Sequence, residues 1–202
     1  MSINEFIIGF LGASAIEMLA SISGFICVFL LIRRNIWNWF FGLVQVTLFV
    51  WIFYQYKLYS DALLHVVYIG LQFYGWWNWY HHKNHQNSVV IEWTPLPFFS
   101  KILLTSFIST LILGYIMNNY TDASFAYADA FTTCTSLLAQ WLLTRRHLLN
   151  WLLWIVVDIV AIIIYLQKGL FPTTVLYATF LIMAIIGQYS WWREYQQQNS
   201  KA

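Results

Sequence analysis

Charged side chains are scarce in this 202-residue chain: Lys, Arg, Asp and Glu together make up 9% of it, against about 25% in soluble globular domains. So few charges cannot easily cover a soluble surface. The surplus of one sign is also small, 10 Lys and Arg against 8 Asp and Glu for a net charge of +2, too slight to argue for a nucleic-acid or acidic partner. Cysteine is limited to Cys27 and Cys134, both inside apolar runs, where a small buried hydrophobe is the plain reading. No basic residue precedes the first apolar stretch, so the charged leader of a cleavable signal peptide is missing. These shortages exclude a disulfide scaffold, a nucleic-acid module and a disordered chain. What is abundant is apolar surface: 60% hydrophobic and 20% aromatic residues, with a mean hydropathy of +0.63. The composition is that of an all-α polytopic membrane protein.

Polar breaks divide the chain into seven apolar segments near 14–32, 36–54, 61–80, 98–117, 123–144, 149–166 and 172–192. Each is long enough to cross a hydrocarbon core of roughly 30 Å as a helix. Residues 1–13 form a separate N-terminal segment that reads as interfacial, and 193–202 a cytoplasmic tail. Counted on alternate sides, Arg33, Arg34, Lys83, Lys101, Arg145, Arg146, Arg193 and Lys201 share one face, and only Lys57 and Lys168 the other. Under the positive-inside rule this predicts the N-terminus outside and the C-terminus in the cytoplasm, which requires an odd number of spans. Trp76, Trp77, Trp79, Tyr80, Trp191, Trp192 and Tyr195 close spans on the inner side and read partly as interface anchors.

The first half also repeats in the second at an offset of 112 residues. Asn38-Trp39 meets Asn150-Trp151, Arg33-Arg34 meets Arg145-Arg146, Glu17 meets Asp129, Leu58 meets Leu170, Gly75 meets Gly187, and Trp79 meets Trp191. Residues 14–80 and 123–192 are thus expected to be parallel three-helix bundles, with 81–122 supplying a loop and a linker helix that returns the chain to the outer face. This 3+1+3 plan places a substrate site near the midplane between the halves.

Candidate site residues follow from polar side chains deep in these spans. Asp158 lies eight residues after Asn150, roughly 12 Å along a helix, and an intramembrane acid should face a cavity or a partner. Asn150, Trp154 and Asp158 share one helix face with Trp151 beside them, a stripe of amide, indole and carboxylate suited to a flat aromatic ring carried on a polar sugar. Asn38, Gln45, Gln72, Trp76, Gln140 and Gln188 add amides and an indole from the other spans. Interfacial anchoring and helix-to-helix hydrogen bonding are the competing structural readings for these aromatics and amides. Glu17 and Asp129 suit helix starts, and the two Arg pairs suit topology anchors. His81, His82 and His85 form one cytoplasmic cluster, which would serve a membrane-embedded enzyme or lipid-binding protein as the competing class. No Gly-rich phosphate loop, Gly-x-Ser-x-Gly elbow or His-Glu-x-x-His motif occurs, so neither catalysis nor a cofactor or metal is expected.

The strings Phe41-Gly-Leu-Val-Gln-Val-Thr-Leu-Phe49, Tyr74-Gly-Trp76 through Trp79, and Thr144-Arg-Arg through Asn150-Trp-Leu-Leu-Trp154 resemble the PnuC family of bacterial vitamin transporters, over Ile16 to Trp192. The resemblance implies seven helices in a 3+1+3 arrangement, a homotrimer in the bacterial inner membrane, and facilitated uptake of nicotinamide riboside. It further implies a cytoplasmic kinase that traps the vitamin. The chain departs from the family pattern at Gln45, Gln72 and Asp158, where Asn is frequent, and at Leu149, where Glu is. Similar relatives carry thiamine or riboflavin, and thiamine is the alternative substrate.

Overall fold

The computed structural model describes residues 15–55, 59–82, 89–121, 125–167 and 171–200. Among them are seven helices and no β-strand: α1 (Ala15–Ile32), α2 (Asn38–Gln55), α3 (Tyr59–His81), α4 (Leu96–Tyr120), α5 (Ala126–Thr144), α6 (Leu149–Gln167) and α7 (Phe171–Ser200). Their bounds follow the apolar segments closely, except that α7 runs on through a polar stretch, so the tail set apart at 193 is helical as far as Ser200. The N-terminal segment 1–13, His85, Lys57, Lys83, Lys168 and Lys201 lie outside the described residues.

Burial is inverted relative to a soluble protein. On α4, Leu103, Leu104, Phe107, Ile108, Leu111 and Ile112 are all exposed, whereas Ser23, Asn38, Gln72, Asn78, Thr135, Ser136, Gln140, Asn150 and Asp158 are buried. That distribution suits a hydrocarbon solvent, which welcomes leucine and penalises an unpaired amide. Exposed hydroxyls satisfy themselves by folding back: Thr105 Oγ1 donates to the Lys101 carbonyl at 2.8 Å and Thr179 Oγ1 to the Val175 carbonyl at 2.9 Å. By length and apolarity α1, α4, α6 and the Thr174–Ser200 part of α7 could each cross a bilayer alone.

The chain folds as two compact units. The first runs to Val90 and includes Thr144–Arg146 and the chain from Arg193 on; the second comprises Ile91–Leu143 and His147–Trp192. In the first unit α1 packs on α2 and α2 on α3. In the second, Ser106 on α4 shares a 2.9 Å hydroxyl hydrogen bond with Thr135 on α5, and Gly114 leaves space that the Tyr127 ring occupies. Cys27 and Cys134 are buried free thiols, and Glu17 and Asp129 stand in the first turns of α1 and α5.

The 112-residue repeat is written into local geometry. Helices α1 and α5 end at Ile32 and Thr144, α2 and α6 at Gln55 and Gln167, and α3 and α7 begin at Tyr59 and Phe171. After α1, Arg34 takes φ 55°, and after α5, Arg146 takes φ 64°, the left-handed conformation that terminates a helix and that glycine usually supplies. Asn35 N–H then donates to the Leu30 carbonyl at 2.9 Å, and His147 N–H to the Leu142 carbonyl at 3.0 Å, capping orphan carbonyls in the Schellman manner. Asn38 Nδ2 donates to the Asn35 carbonyl at 2.6 Å and Asn150 Nδ2 to the His147 carbonyl at 2.7 Å, so each Asn fastens the next helix to the preceding turn. Helix α4 has no counterpart, which accords with the 3+1+3 plan.

The Asn-Trp repeat continues inward. Trp39 meets Trp79 edge to face, centroids 5.2 Å apart, and Trp151 meets Trp191 likewise at 5.7 Å. All four indoles are buried. The end of the Trp39 ring occupies the space a Cβ on Gly75 would need, and the Trp151 ring lies 2.5 Å from a Cβ position on Gly187. Trp79 and Trp191, expected as interface anchors, are therefore core residues: the absence of a side chain one turn earlier lets an indole from the neighbouring helix reach them.

Candidate functional site

In the second unit the polar stripe is positioned by α6. Asp158 sits at the centre of this 19-residue helix and is only 4% exposed. Asn150, at the start of α6, spends Nδ2 on the turn and leaves Oδ1 buried with no partner among the described residues. Trp151 meets Trp191 edge to face and leaves its Nε1–H buried and unpaired. On α7, Gln188 has a buried, unpaired Oε1 and lines a shallow cavity of about 270 Å³ with Ile155, Ile185, Tyr189 and Trp192. Gln140 is buried on α5. Buried polar atoms are nearly always paired, so this donor and these two acceptors are open hydrogen-bonding positions in the second unit.

Trp154 belongs to a different setting. It packs with Phe98, Trp141 and Leu149 against Ile102, Ala139, Leu142 and Leu153, the apolar cluster of the second unit. Its ring is only partly buried there. The shared face of Asn150, Trp154 and Asp158 holds as a register, but its middle member carries packing.

In the first unit, Asn38 repeats the turn-fastening role of Asn150, and Trp76 is half-buried on α3. Gln45 and Gln72 lie over glycines: the Gln45 amide occupies space against Gly24 of α1, and the Gln72 amide against Gly42 of α2. Gln72 is 6% exposed and its Oε1 has no partner among the described residues. Trp39 Nε1 is buried and unpaired like its repeat mate Trp151, and was missed as a candidate although the offset that finds Trp151 finds it too. Glycine seats leave no polar signal in a sequence, so Gly24 and Gly42 were not legible as site residues.

Two of the three histidines of the competing cluster bond back onto α3. His81 Nδ1 donates to the Trp77 carbonyl and His82 Nδ1 to the Asn78 carbonyl, both at 2.8 Å.

Comparison with known proteins decides the class. Residues 14–193 match the model of the family described as nicotinamide mononucleotide transporter. The chain belongs to this family. It is therefore a multi-pass membrane transporter rather than an enzyme. The chain is 28% identical to the nicotinamide riboside transporter PnuC of Escherichia coli (strain K12), over 94% of the chain and 90% of that protein. It is 26% identical to the PnuC of Neisseria mucosa, over 88% and 72%, and 21% identical to the riboflavin/roseoflavin transporter RibM of Streptomyces davaonensis, over 87% and 84%. The crystal structure of the vitamin B3 transporter PnuC superposes with a TM-score of 0.77 at 23% identity, covering 95% of the chain and 86% of that structure. The seven-helix fold of the PnuC transporters is the fold seen here.

Proposed function

We propose that this chain mediates facilitated uptake of nicotinamide riboside. The carrying observation is a charge balance. Helices α1, α2, α3, α5 and α6, and α7 as far as Trp192, contain no Lys or Arg, while Asp158 is buried at the middle of α6. Nicotinamide riboside carries a pyridinium cation and neutral hydroxyls. Its mononucleotide adds a phosphate that would meet no basic side chain in these helices and would be repelled by a carboxylate, a costly mismatch where water is excluded. A cationic, phosphate-free vitamin fits.

Asp158 is assigned to the pyridinium charge. In the second unit Asn150, Gln188, Gln140 and the Trp151 N–H are assigned to the carboxamide and ribose, with the indole of Trp154 bordering the ring. In the first unit Asn38, Gln45, Gln72 and Trp76 offer further amides and an aromatic face. Few intramembrane charges favour facilitated diffusion over ion coupling. The eight-to-two distribution of Lys and Arg supports an inner-membrane orientation with the N-terminus outside and the C-terminus in the cytoplasm. Family resemblance supports a homotrimer and a cytoplasmic kinase that phosphorylates, and so traps, the riboside.

Thiamine is also a cation without ribose, and Asp158 would serve it equally, so binding must separate them. Thermal-shift titration of the purified protein with nicotinamide riboside, its mononucleotide, thiamine and riboflavin does this, because a ligand that binds only the native state raises its melting temperature. The riboside is expected to give the largest shift. A larger shift with thiamine reassigns the vitamin, and one with the mononucleotide contradicts the charge argument.

A further inference from the structure

We propose that Gly42 is a positioning residue whose missing side chain seats the Gln72 amide so that its Oε1 accepts a hydrogen bond from an N–H or O–H of the substrate. This rests on the riboside reading above.

A Cβ placed on Gly42 would lie 2.5 Å from Gln72 Nε2, 2.8 Å from Cδ and 2.8 Å from Oε1. The whole carboxamide thus occupies the space that any other residue at position 42 would fill. The seat is built from two helices, α2 supplying the bare backbone and α3 the glutamine. Gln72 is 94% buried, and Oε1 finds no partner among the described residues. A buried amide oxygen held in place without a donor is a strong acceptor waiting for one. Nicotinamide riboside brings candidate donors in its carboxamide N–H and its ribose hydroxyls.

The repeat shows that the arrangement is not a by-product of the bundle. At an offset of 112, Gly42 and Gln72 become Trp154 and Ala184. The bulk has moved from the third helix of the unit to the second, and the amide has disappeared. One layer away the amide is lost as well, Gly24 and Gln45 becoming Ser136 and Val157. Packing alone is satisfied by either solution, but only the first unit keeps a glycine seat beneath a buried, unpaired amide. Unequal halves are what an asymmetric ligand requires.

Alanine at position 42 collides with the far end of a flexible side chain rather than with backbone, so it displaces the amide and leaves the helices in place. Calorimetry on the full-length protein in detergent tests the assignment, using Gly42→Ala, Gln72→Leu and the double variant. The ligands are nicotinamide riboside, 3-acetylpyridine riboside, which replaces the carboxamide NH2 by a methyl group without adding a charge, and the three monodeoxy ribosides. Loss of one charge-free hydrogen bond is expected to weaken binding by about tenfold. The wild type should show that loss for one analogue. Both single variants should bind the riboside as weakly as the wild type binds that analogue, while their affinity for the analogue itself stays unchanged. Gly42→Ala should add nothing in the Gln72→Leu background. Unchanged riboside affinity in Gly42→Ala overturns the seat, as does an equal loss for all five ligands, which is what a packing defect would give. A wild type that binds none of the five contradicts the riboside reading itself and removes the ligand role of the seat with it. Unfolding of the ligand-free variants at the wild-type temperature separates seating from stability.

Discussion

Arg34 Nη2 donates to Glu194 Oε2 at 2.9 Å, an ion pair between residues 160 positions apart. Next to it Gln198 Nε2 donates to the Val89 carbonyl at 3.3 Å and to Glu194 Oε1 at 3.4 Å. The polar end of α7 is thereby fastened inside the first unit, although the body of the same helix belongs to the second. Both partners are about one-fifth exposed, so solvent screening holds the contribution to about 1 kcal/mol or less. Glu194→Gln should lower the melting temperature by about 2–4 °C, and the charge-swapped pair Arg34→Glu with Glu194→Arg should recover part of it. A melting temperature unchanged in Glu194→Gln would show that the pair contributes nothing to the fastening.

The glycines of α3 and α7 should respond differently to alanine. Gly75→Ala and Gly187→Ala force a Cβ into the rings of Trp39 and Trp151, an overpacking that costs about 1–3 kcal/mol. Gly70 has nothing within 4 Å of its Cβ position, so Gly70→Ala should be neutral or stabilising through helix propensity. Thermal unfolding of the three variants gives the order directly, and equal effects at all three positions would contradict the indole-on-glycine packing.

Trp151 and Trp154 are neighbours on α6 in different packing environments. Trp154→Ala removes a ring from the cluster around Ile102 and Leu153 and should destabilise by about 3–5 kcal/mol. Trp151→Phe deletes the unpaired Nε1–H together with the ring end that sits over Gly187, so it should weaken riboside binding and destabilise by less than Trp154→Ala. The comparison needs only a melting curve and a binding isotherm for each, and the opposite pattern would exchange the two roles.

The histidine cluster should be dispensable for transport. His81 and His82 are bonded to carbonyls one turn back in their own helix. The triple variant His81→Ala, His82→Ala, His85→Ala is expected to take up the riboside at the wild-type rate, and loss of uptake would bring the cluster back into the mechanism.

How much of this was legible in the sequence depends on the physical signal each feature leaves. The seven helices were, because a backbone in hydrocarbon must bond to itself and apolar length alone reports it. The repeat was legible because Asn-Trp and Arg-Arg recur in register over three helices. Continuation of α7 to Ser200 was not, since the polar run after Trp192 ends the hydropathy signal while its Arg, Glu and Gln still form helix readily. Trp79 and Trp191 looked like interface anchors because a tryptophan near the end of a span has the same pattern whether it faces lipid or a neighbouring indole. Arg34 and Arg146 stand where a glycine would ordinarily announce a left-handed helix cap, so the turn they close was silent. Among the site candidates, buried polar side chains such as Asp158, Asn150 and Gln72 announced themselves. The glycines that give glutamines their place did not, because a position that works by lacking atoms carries no chemical label.

The central claim is that a buried carboxylate in helices without Lys or Arg selects a cationic, phosphate-free vitamin. Uptake into proteoliposomes tests it most directly, with labelled nicotinamide riboside, its mononucleotide and riboflavin offered to the wild type and to Asp158→Asn, with no ion gradient imposed. Wild type should accumulate the riboside to equilibrium and exclude the mononucleotide, and Asp158→Asn should lower riboside uptake by about 10–100-fold, the worth of one interaction with a charged group. Mononucleotide uptake at the riboside rate, or riboside uptake unaffected in Asp158→Asn, would contradict it.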